Sequence, residues 1–542
     1  MAERNDSINS IPETEFPPGT FLLSDKYHSS DQAEVIIHPT PTNDPNDPLN
    51  WPKWRKGVNF GIACFYVLIT FVFLDIGAVS FGPVIAEFGW SLDIFTYGTA
   101  AGYAGLAVGC IVFIPFIHRY GRRPIYLLSL IIQLAAAIWS AKVQTAGDLV
   151  GANIVSGIGG AISETIVQVT IGDLFFVHQR ATMNGIFLLM QSSGAFLGPV
   201  AAGYVVAGMG WRWMWWLTAI FSAINLIITA FLFEETMFVP AIAGERRPVE
   251  GDNQSPDVLA STKDKAINTN QLERGDSNKV VSADFVSQKP YTQRMALFTK
   301  TDTPIVHRFY DPFVAFFTIP AVAYVSVVYG LLLSFFAVLG TLMSYFMIAP
   351  PYNFGSASIG LLSIAPFIGS GLGAFIGGPT NDKLSIWLAS RNGGIFEPEM
   401  RLWLVFPGVL LCIVGICMNG LGLADHRPWP VIACGFGFFG AGFSIVGSSA
   451  LTYLTDAYLD IVSDAFVSVT FWRNGFSIAV LFGLTPWLDK MGLRNVYIIV
   501  ACFAGLLVFM TIPMIAFGKR FRVMTKDRYR SIAANQPILR DL

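Results

Sequence analysis

Charge is what this chain lacks. Only 13% of its 542 residues are Asp, Glu, Lys or Arg, about half the share in a soluble domain, and the mean hydropathy is +0.54. The deficit excludes an ordinary soluble enzyme and points to a membrane protein, with the lipid bilayer as its first partner. The formal charge is −2, so no basic excess argues for nucleic acid. Cysteine is sparse as well. Cys64, Cys110, Cys412, Cys417, Cys434 and Cys502 all lie in apolar runs, with no CxxC and no paired framework in a loop. Neither a disulfide scaffold nor a zinc site is expected, and no cofactor. The chain has no HExxH, no Walker A motif and no GxSxG in a soluble setting. ATP-driven transport and membrane-enzyme chemistry are therefore not expected. The first 50 residues lack a basic stretch followed by an apolar core, so no cleaved signal peptide is expected.

What the chain has is apolar runs of about 20 residues, the length that crosses a bilayer as helix. Twelve are found, at 58–80, 95–117, 124–143, 149–172, 183–206 and 214–233, then 317–343, 356–378, 402–423, 430–455, 465–487 and 494–517. The expected fold is an all-α membrane protein of twelve transmembrane helices in two six-helix pseudo-repeats. A disordered tail, 1–57, would precede a bundle at 58–236. A polar linker, 237–311, holds GERRPVEGDNQSPD and few aromatics, and should not fold alone. A second bundle, 312–517, and a tail, 518–542, complete the chain. Lys53, Arg55, Lys56, Arg119, Arg122, Arg123, Arg180, Lys383, Arg391, Arg401, Lys519, Arg520 and Arg522 fall on one side, and only Lys142, Arg212, Arg427, Lys490 and Arg494 on the other. The basic side, with both termini and the linker, is expected to be cytoplasmic. HRYGRRP after span two and GGPTNDKL after span eight occupy matching loops of the two halves, a plan that places a site between repeats.

Polar residues inside spans are the candidates for chemistry. Asn153, Gly157, Gly160, Glu164 and Gln168 recur at spacings of three and four, one small and polar stripe on a continuous helix. An acid at the depth of Glu164 costs a few kcal/mol on insertion scales. It escapes part of that cost by taking a proton, or it stays charged and binds a cation. The bland alternative is a protonated side chain bonded to a neighbouring helix. Asp75, in the outer part of span one, is a second such acid, or else an interfacial one. Asp456 ends span ten between Tyr453 and Tyr458, where an interfacial role competes with a site role. Thr470, Arg473, Asn474 and Ser477 share a face of span eleven. An arginine that deep needs a partner, and Asp456 or Asp464 could supply it. Trp211, Trp213, Trp215 and Trp216 read as an interfacial belt.

Several short stretches, taken in order, carry a resemblance: DPLNWPKWRK, RYGRRPIY, GDLFFVHQRATMNG, GAFLGPVAAG, GWRWMWW and NGGIFEPEMRLW. Over residues 44–520 the chain resembles fungal major facilitator superfamily transporters of the twelve-span drug:proton antiporter type. The resemblance implies that spans one and four flank a central cavity. It implies gating roles for Arg119, Gly121, Arg122 and Arg123, and for Asp382 and Lys383, which with Gly378 fit G-x-x-x-D-K. It implies that Gly194, Gly198, Pro199 and Gly203 help set transport direction or seal against leak, where close packing is the plainer role. The chain departs from the family at His118 and Ile114 in the first loop motif, at Ala202, and at Asn153, where many antiporters carry an arginine linked to coupling.

The expected function is proton-coupled secondary transport by two rocking bundles. Glu164 and Asp75 would bind protons or a cationic group, and Gln168, Asn153 and aromatics would shape the pocket. Export of a drug or secondary metabolite is expected. The rival is import of a cationic metabolite such as a polyamine, and a non-transporting receptor is remote. The expected setting is the plasma membrane, with the vacuole as alternative, as a monomer.

Overall fold

The computed structural model describes residues 17–22, 46–237, 290–298, 306–458 and 461–534. Among them, ten helical stretches are long and apolar enough to cross a membrane. They are α1 (Lys53–Phe88), α2 (Leu92–Tyr120), α3 (Arg123–Ala141), α5 (177–209), α6 (Trp211–Leu232), α7 (Pro320–Phe346), α8 (Ser356–Arg391), α9 (Pro398–Ala424), α10 (Trp429–Ala457) and the long stretch Val462–Met524. That last stretch has 63 residues and bends at Gly492, so it is two spans, α11 (462–491) and α12 (493–524). A broken segment, α4 (146–174), completes twelve. The expected fold is observed.

The helices gather in two bundles, α1–α6 and α7–α12. Each has its own buried apolar core, one centred on Tyr66, Leu130 and Ile166 and the other on Val328, Phe439 and Tyr453. Small residues set the spacing. A Cβ on Gly415 would stand 2.7 Å from the Gly435 carbonyl oxygen, and one on Gly435 would meet α9 in return, so α9 and α10 touch backbone to backbone.

The sequence also carries a repeat signal beyond the loop pair noted above. Met209-Gly210-Trp211-Arg212 joins α5 to α6, and Met491-Gly492-Leu493-Arg494 joins α11 to α12. Both glycines have positive φ, 92° and 74°, with ψ near 160°, a region open essentially to glycine alone. Each lets one helix turn into the next through a single residue, at the same place in each half.

Several boundaries differ from expectation. The first span runs on to Phe88, because the α-helix Lys53–Asp75 passes into a 3₁₀ turn, Ile76–Ser80, and then a further helical piece. Span seven starts at Pro320, after a separate amphipathic helix, Val306–Thr318, that falls partly in the expected linker. Residues 17–22 were expected in an unstructured tail. They instead form a strand, β1 (Phe21–Leu22), antiparallel to β2 (Ile395–Phe396) in the α8–α9 loop. The rest of the expected tail, linker and C-terminal tail lies partly outside the described residues.

At the end opposite the basic loops the bundles are sealed together. A Cβ on Gly203 of α5 would stand 2.7 Å from the Ser356 carbonyl oxygen, and one on Gly360 of α8 would strike the Pro199 carbonyl. Thr96 of α2 and Thr485 of α11 share a hydrogen bond there, at 3.2 Å, and Tyr97 packs near Phe482.

Candidate functional site between the bundles

The stripe expected on span four is not continuous. The helix Ala146–Gly160 ends, residues 161–165 form turns, and helix resumes at Ile166–Leu174. Two weak helix formers, Gly159 and Gly160, precede the break. Through it, Ser163 N–H donates to the Gly160 carbonyl and Thr165 N–H to the Ile162 carbonyl, an i to i+3 pattern. Thr165 Oγ1 also donates to Ile162 O, competing with the helical ladder. Carbonyls near the break find partners on neighbouring helices. Gln133 Nε2 of α3 donates to Gly159 O at 3.2 Å, and Cys110 Sγ of α2 to Ala161 O at 3.0 Å. Cys110 is thus a donor as well as the small hydrophobe the sequence suggests.

The break separates the five residues. Asn153 packs beside Gly98 and Gly102 of α2, and its Nδ2 donates to the Leu149 carbonyl at 2.8 Å. Gly157 abuts Gly102 and Gly105, and Gly160 abuts Thr70 and Leu74 of α1. These three serve close packing within the first bundle. Gln168 is half-buried on the second piece. Glu164, in the break itself, is the member that reaches the other bundle.

Glu164 meets Arg473. Arg473 Nη2 of α11 donates to Glu164 Oε2 at 2.6 Å, with the two side chains 11 and 19% exposed. The partner expected for this arginine was Asp456 or Asp464, and that expectation is corrected. Spacing along α10 and α11 could not show that a carboxylate from the other bundle comes closer. Gln191 Nε2 of α5 donates to the second oxygen of Glu164 at 3.2 Å. Tyr329 of α7 lies under the Arg473 guanidinium, 5.6 Å from it to the ring centroid. Gly447 of α10 leaves room for that ring, since a Cβ there would stand 3.0 Å from it.

Asp75 sits where α1 changes from α-helix to 3₁₀ turn. It is half-buried, within electrostatic reach of Glu164, and makes no hydrogen bond among the described residues. Tyr103 of α2 lies within reach of Asp75, Glu164 and Arg473 together. Asn474, beside Arg473, is fully buried, and neither end of its amide has a protein partner among the described residues. The ensemble draws on α1, α2, α4, α5, α7 and α11. It holds two carboxylates, one guanidinium, two phenols and two amides. Such a group, set between the two bundles, has the chemistry to take up a proton or a cation. Gln191, Tyr103 and Tyr329 escaped the sequence reading. Gln191 carries a visible signal, a lone amide in an apolar span, and the tyrosines carry none.

The gating candidates lie at the basic-loop end. Gly121, with φ 102°, leaves space that the Glu235 carboxylate fills. That carboxylate accepts from the Arg122 and Arg123 backbone N–H groups, at 2.9 and 3.0 Å, at the start of α3. Burial pushes the Glu235 carboxyl above the ordinary glutamate range, against the pull of those N–H groups. Arg122 Nε donates to Asp173 of α4 at 3.0 Å, and Arg123 Nη2 to the Ala230 carbonyl at 2.7 Å. Arg119 is half-buried beside Tyr120. Arg55 forms a close pair with Glu234. Glu234 and Glu235 were missed, although an acidic doublet just after an apolar span is a legible signal.

In the second bundle Arg401 joins Asp382, at 2.7 Å, to Asp456. Asp456 therefore belongs to this end network and not to the central group. Lys383 is exposed and makes no ion pair among the described residues. In α5, Gly194 and Gly198 pack on Leu68, Phe71 and Val72 of α1, and Gly203 with Pro199 forms the seal against α8. A π-helical turn, Ser193–Leu197, precedes Pro199, which has no N–H to keep the α-helical ladder.

Two six-helix bundles with a buried polar group between them define a secondary-transporter class of membrane protein. The chain belongs to the Major Facilitator Superfamily, whose profile matches residues 60–463. It is 30% identical, over 94% of both chains, to an uncharacterized MFS-type transporter of Schizosaccharomyces pombe. It is 26% identical to the protein HOL1 of Saccharomyces cerevisiae, covering 97% of this chain and 98% of that one, and 25% identical to the efflux pump radE of Floropilus chiversii, covering 96 and 91%. Among solved structures, the xylose transporter XylE of E. coli, in a partially occluded inward-open conformation, is similar with TM-score 0.54 at 14% identity, over 86% of this chain and 98% of that one. At that identity the likeness is one of fold.

Proposed function

We propose that this transporter moves a small organic molecule by alternating access, coupled to protons through Glu164. The observation that carries the reading is the Glu164–Arg473 pair, because it joins one bundle to the other at the level of a buried polar group. Protonating Glu164 removes its charge and with it most of the attraction for Arg473. The bundles are then free to part at that level and to close at the basic-loop end. The contacts at the opposite end close the conformation on that side, and we assign the basic-loop end to the cytoplasm. Export of a drug or secondary metabolite agrees with the packed Gly203–Pro199 seam and with the name of the relative radE. A second reading, import of a cationic metabolite, is favoured by Asp75, a half-buried carboxylate with no hydrogen-bond partner among the described residues. With Arg473 paired to Glu164, Asp75 is the carboxylate of the group left to meet a cation.

The test is transport in cells stripped of their main transporters, with labelled substrates followed in both directions under an imposed pH gradient. Glu164→Gln is expected to abolish the pH dependence, and Asp75→Asn to abolish cation movement. Unchanged pH-dependent transport by Glu164→Gln sinks the coupling role. Net polycation uptake with no efflux of any compound replaces export with import.

A further inference from the structure

α8 outruns the bilayer. Its 36 residues, Ser356–Arg391, extend over about 54 Å as helix, against a hydrocarbon layer of about 30 Å. One face stays bare along most of that length. Ile368, Leu372, Ile376, Lys383, Trp387 and Arg391 fall at steps of four and seven, one row of a helix, and all six are exposed. α10 covers a different side. A Cβ on Gly373 would stand 2.5 Å from the Ala441 carbonyl oxygen, and Asn381 Nδ2 donates to Ser449 Oγ at 3.2 Å. The first half of the bare row is apolar, and Phe375 beside it is 81% exposed. A continuous apolar row of this kind belongs against lipid chains and not in a water-filled cleft.

At the basic-loop end the same row changes chemistry. Trp387 is 48% exposed, and the Arg391 guanidinium lies 3.9 Å from its ring centroid. Side chains of a helix lean toward its N-terminus. On α8 that is toward the bilayer, so Arg391 reaches back along the row. Lys383, nearer the hydrocarbon, is long enough to snorkel outward to meet it. The carboxylates of this end are engaged elsewhere. Arg401 holds Asp382 at 2.7 Å and also Asp456, Lys519 holds Glu397 at 2.8 Å, and Arg522 holds Glu399 at 2.7 Å. Lys383 and Arg391 make no ion pair among the described residues. The row therefore ends in two exposed cations beside an indole. An apolar row that gives way to tryptophan and basic residues matches the passage from lipid chains to the interface, and anionic headgroups there supply the complementary charge.

We propose that Lys383, Trp387 and Arg391 form a binding site for the headgroup of an anionic phospholipid in the leaflet on the basic-loop side, its chains lying along Ile368, Leu372 and Ile376. Such a site does not depend on the transport reading. The test uses the full chain in nanodiscs of phosphatidylcholine, with and without phosphatidylserine. Two quantities are read. One is amide exchange across Lys383–Arg391. The other, by native mass spectrometry of protein released with its lipids, is the ratio of the two lipids retained. Phosphatidylserine is expected to slow that exchange about threefold and to be retained in preference. Lys383→Gln and Arg391→Gln are each expected to lower the preference about fivefold, and together to remove the protection. Lys53→Gln takes an exposed charge from the start of α1, on the same side, and is expected to change neither quantity. An equal loss with Lys53→Gln overturns the site, since overall charge then accounts for the preference. Equal retention of the two lipids by the native chain overturns it outright. Glycerophosphoserine, the soluble headgroup, is expected to give no protection in phosphatidylcholine nanodiscs. Protection by it equal to that of the lipid overturns the membrane as the source of the ligand.

Discussion

At the residue scale, the Glu164–Arg473 pair sets the terms. Two desolvated charges are held by each other, and removing one strands the other at a cost of about 3–5 kcal/mol. Arg473→Met is therefore expected to lower the midpoint of thermal unfolding in detergent sharply. Adding Glu164→Gln should recover most of that loss, because an uncharged pair of similar size carries no desolvation penalty. Additive losses in the double variant would show that the two residues are not coupled. Transport stays absent in both, which separates stability from function. The acid was legible in the sequence as a carboxylate in an apolar run, and so was the arginine. Their pairing was not, since 309 residues separate them and nothing in either helix pattern ranks partners across bundles.

At the element scale, α4 shows where pattern reasoning stops. A wheel at 3.6 residues per turn assumes an unbroken ladder, and the i to i+3 bonds from Gly160 to Thr165 rotate Glu164 away from Asn153 and Gly157. The spans themselves were readable because apolar length is a strong signal. The joint at Asp75 was not, since helix continues on both sides of it. The seam of α5 on α8 makes its own prediction. A methyl on Gly360 would press on the Pro199 carbonyl, and overpacking of about 1–3 kcal/mol would fall on the sealed state alone. Gly360→Ala is expected to raise amide exchange across Ser356–Leu362 and to slow transport. Unchanged exchange there would show that the seam does not hold the seal.

At the scale of the whole molecule, two bundles and a site between them followed from hydropathy and from the loop motifs, while the strand at Phe21–Leu22 left no pattern to read. Placement of the basic loops in the cytoplasm predicts a labelling result. Asn392→Cys should resist an impermeant maleimide in intact cells and react in inside-out vesicles, and Ser91→Cys should behave the other way round. The reverse result inverts the molecule and with it the direction of transport. Gly121, Gly210 and Gly492 make one further point about motion. Each has positive φ and joins two long helices, α2 to α3, α5 to α6 and α11 to α12, with one or two residues between them. A helix hinged so shortly to its neighbour has little slack with which to tilt alone. A displacement of α11, which carries Arg473, is therefore expected to carry α12 with it, and one of α5 to carry α6. Under the alternating-access proposal, such short corners would pass a push felt by one side chain at the centre to a pair of helices at once.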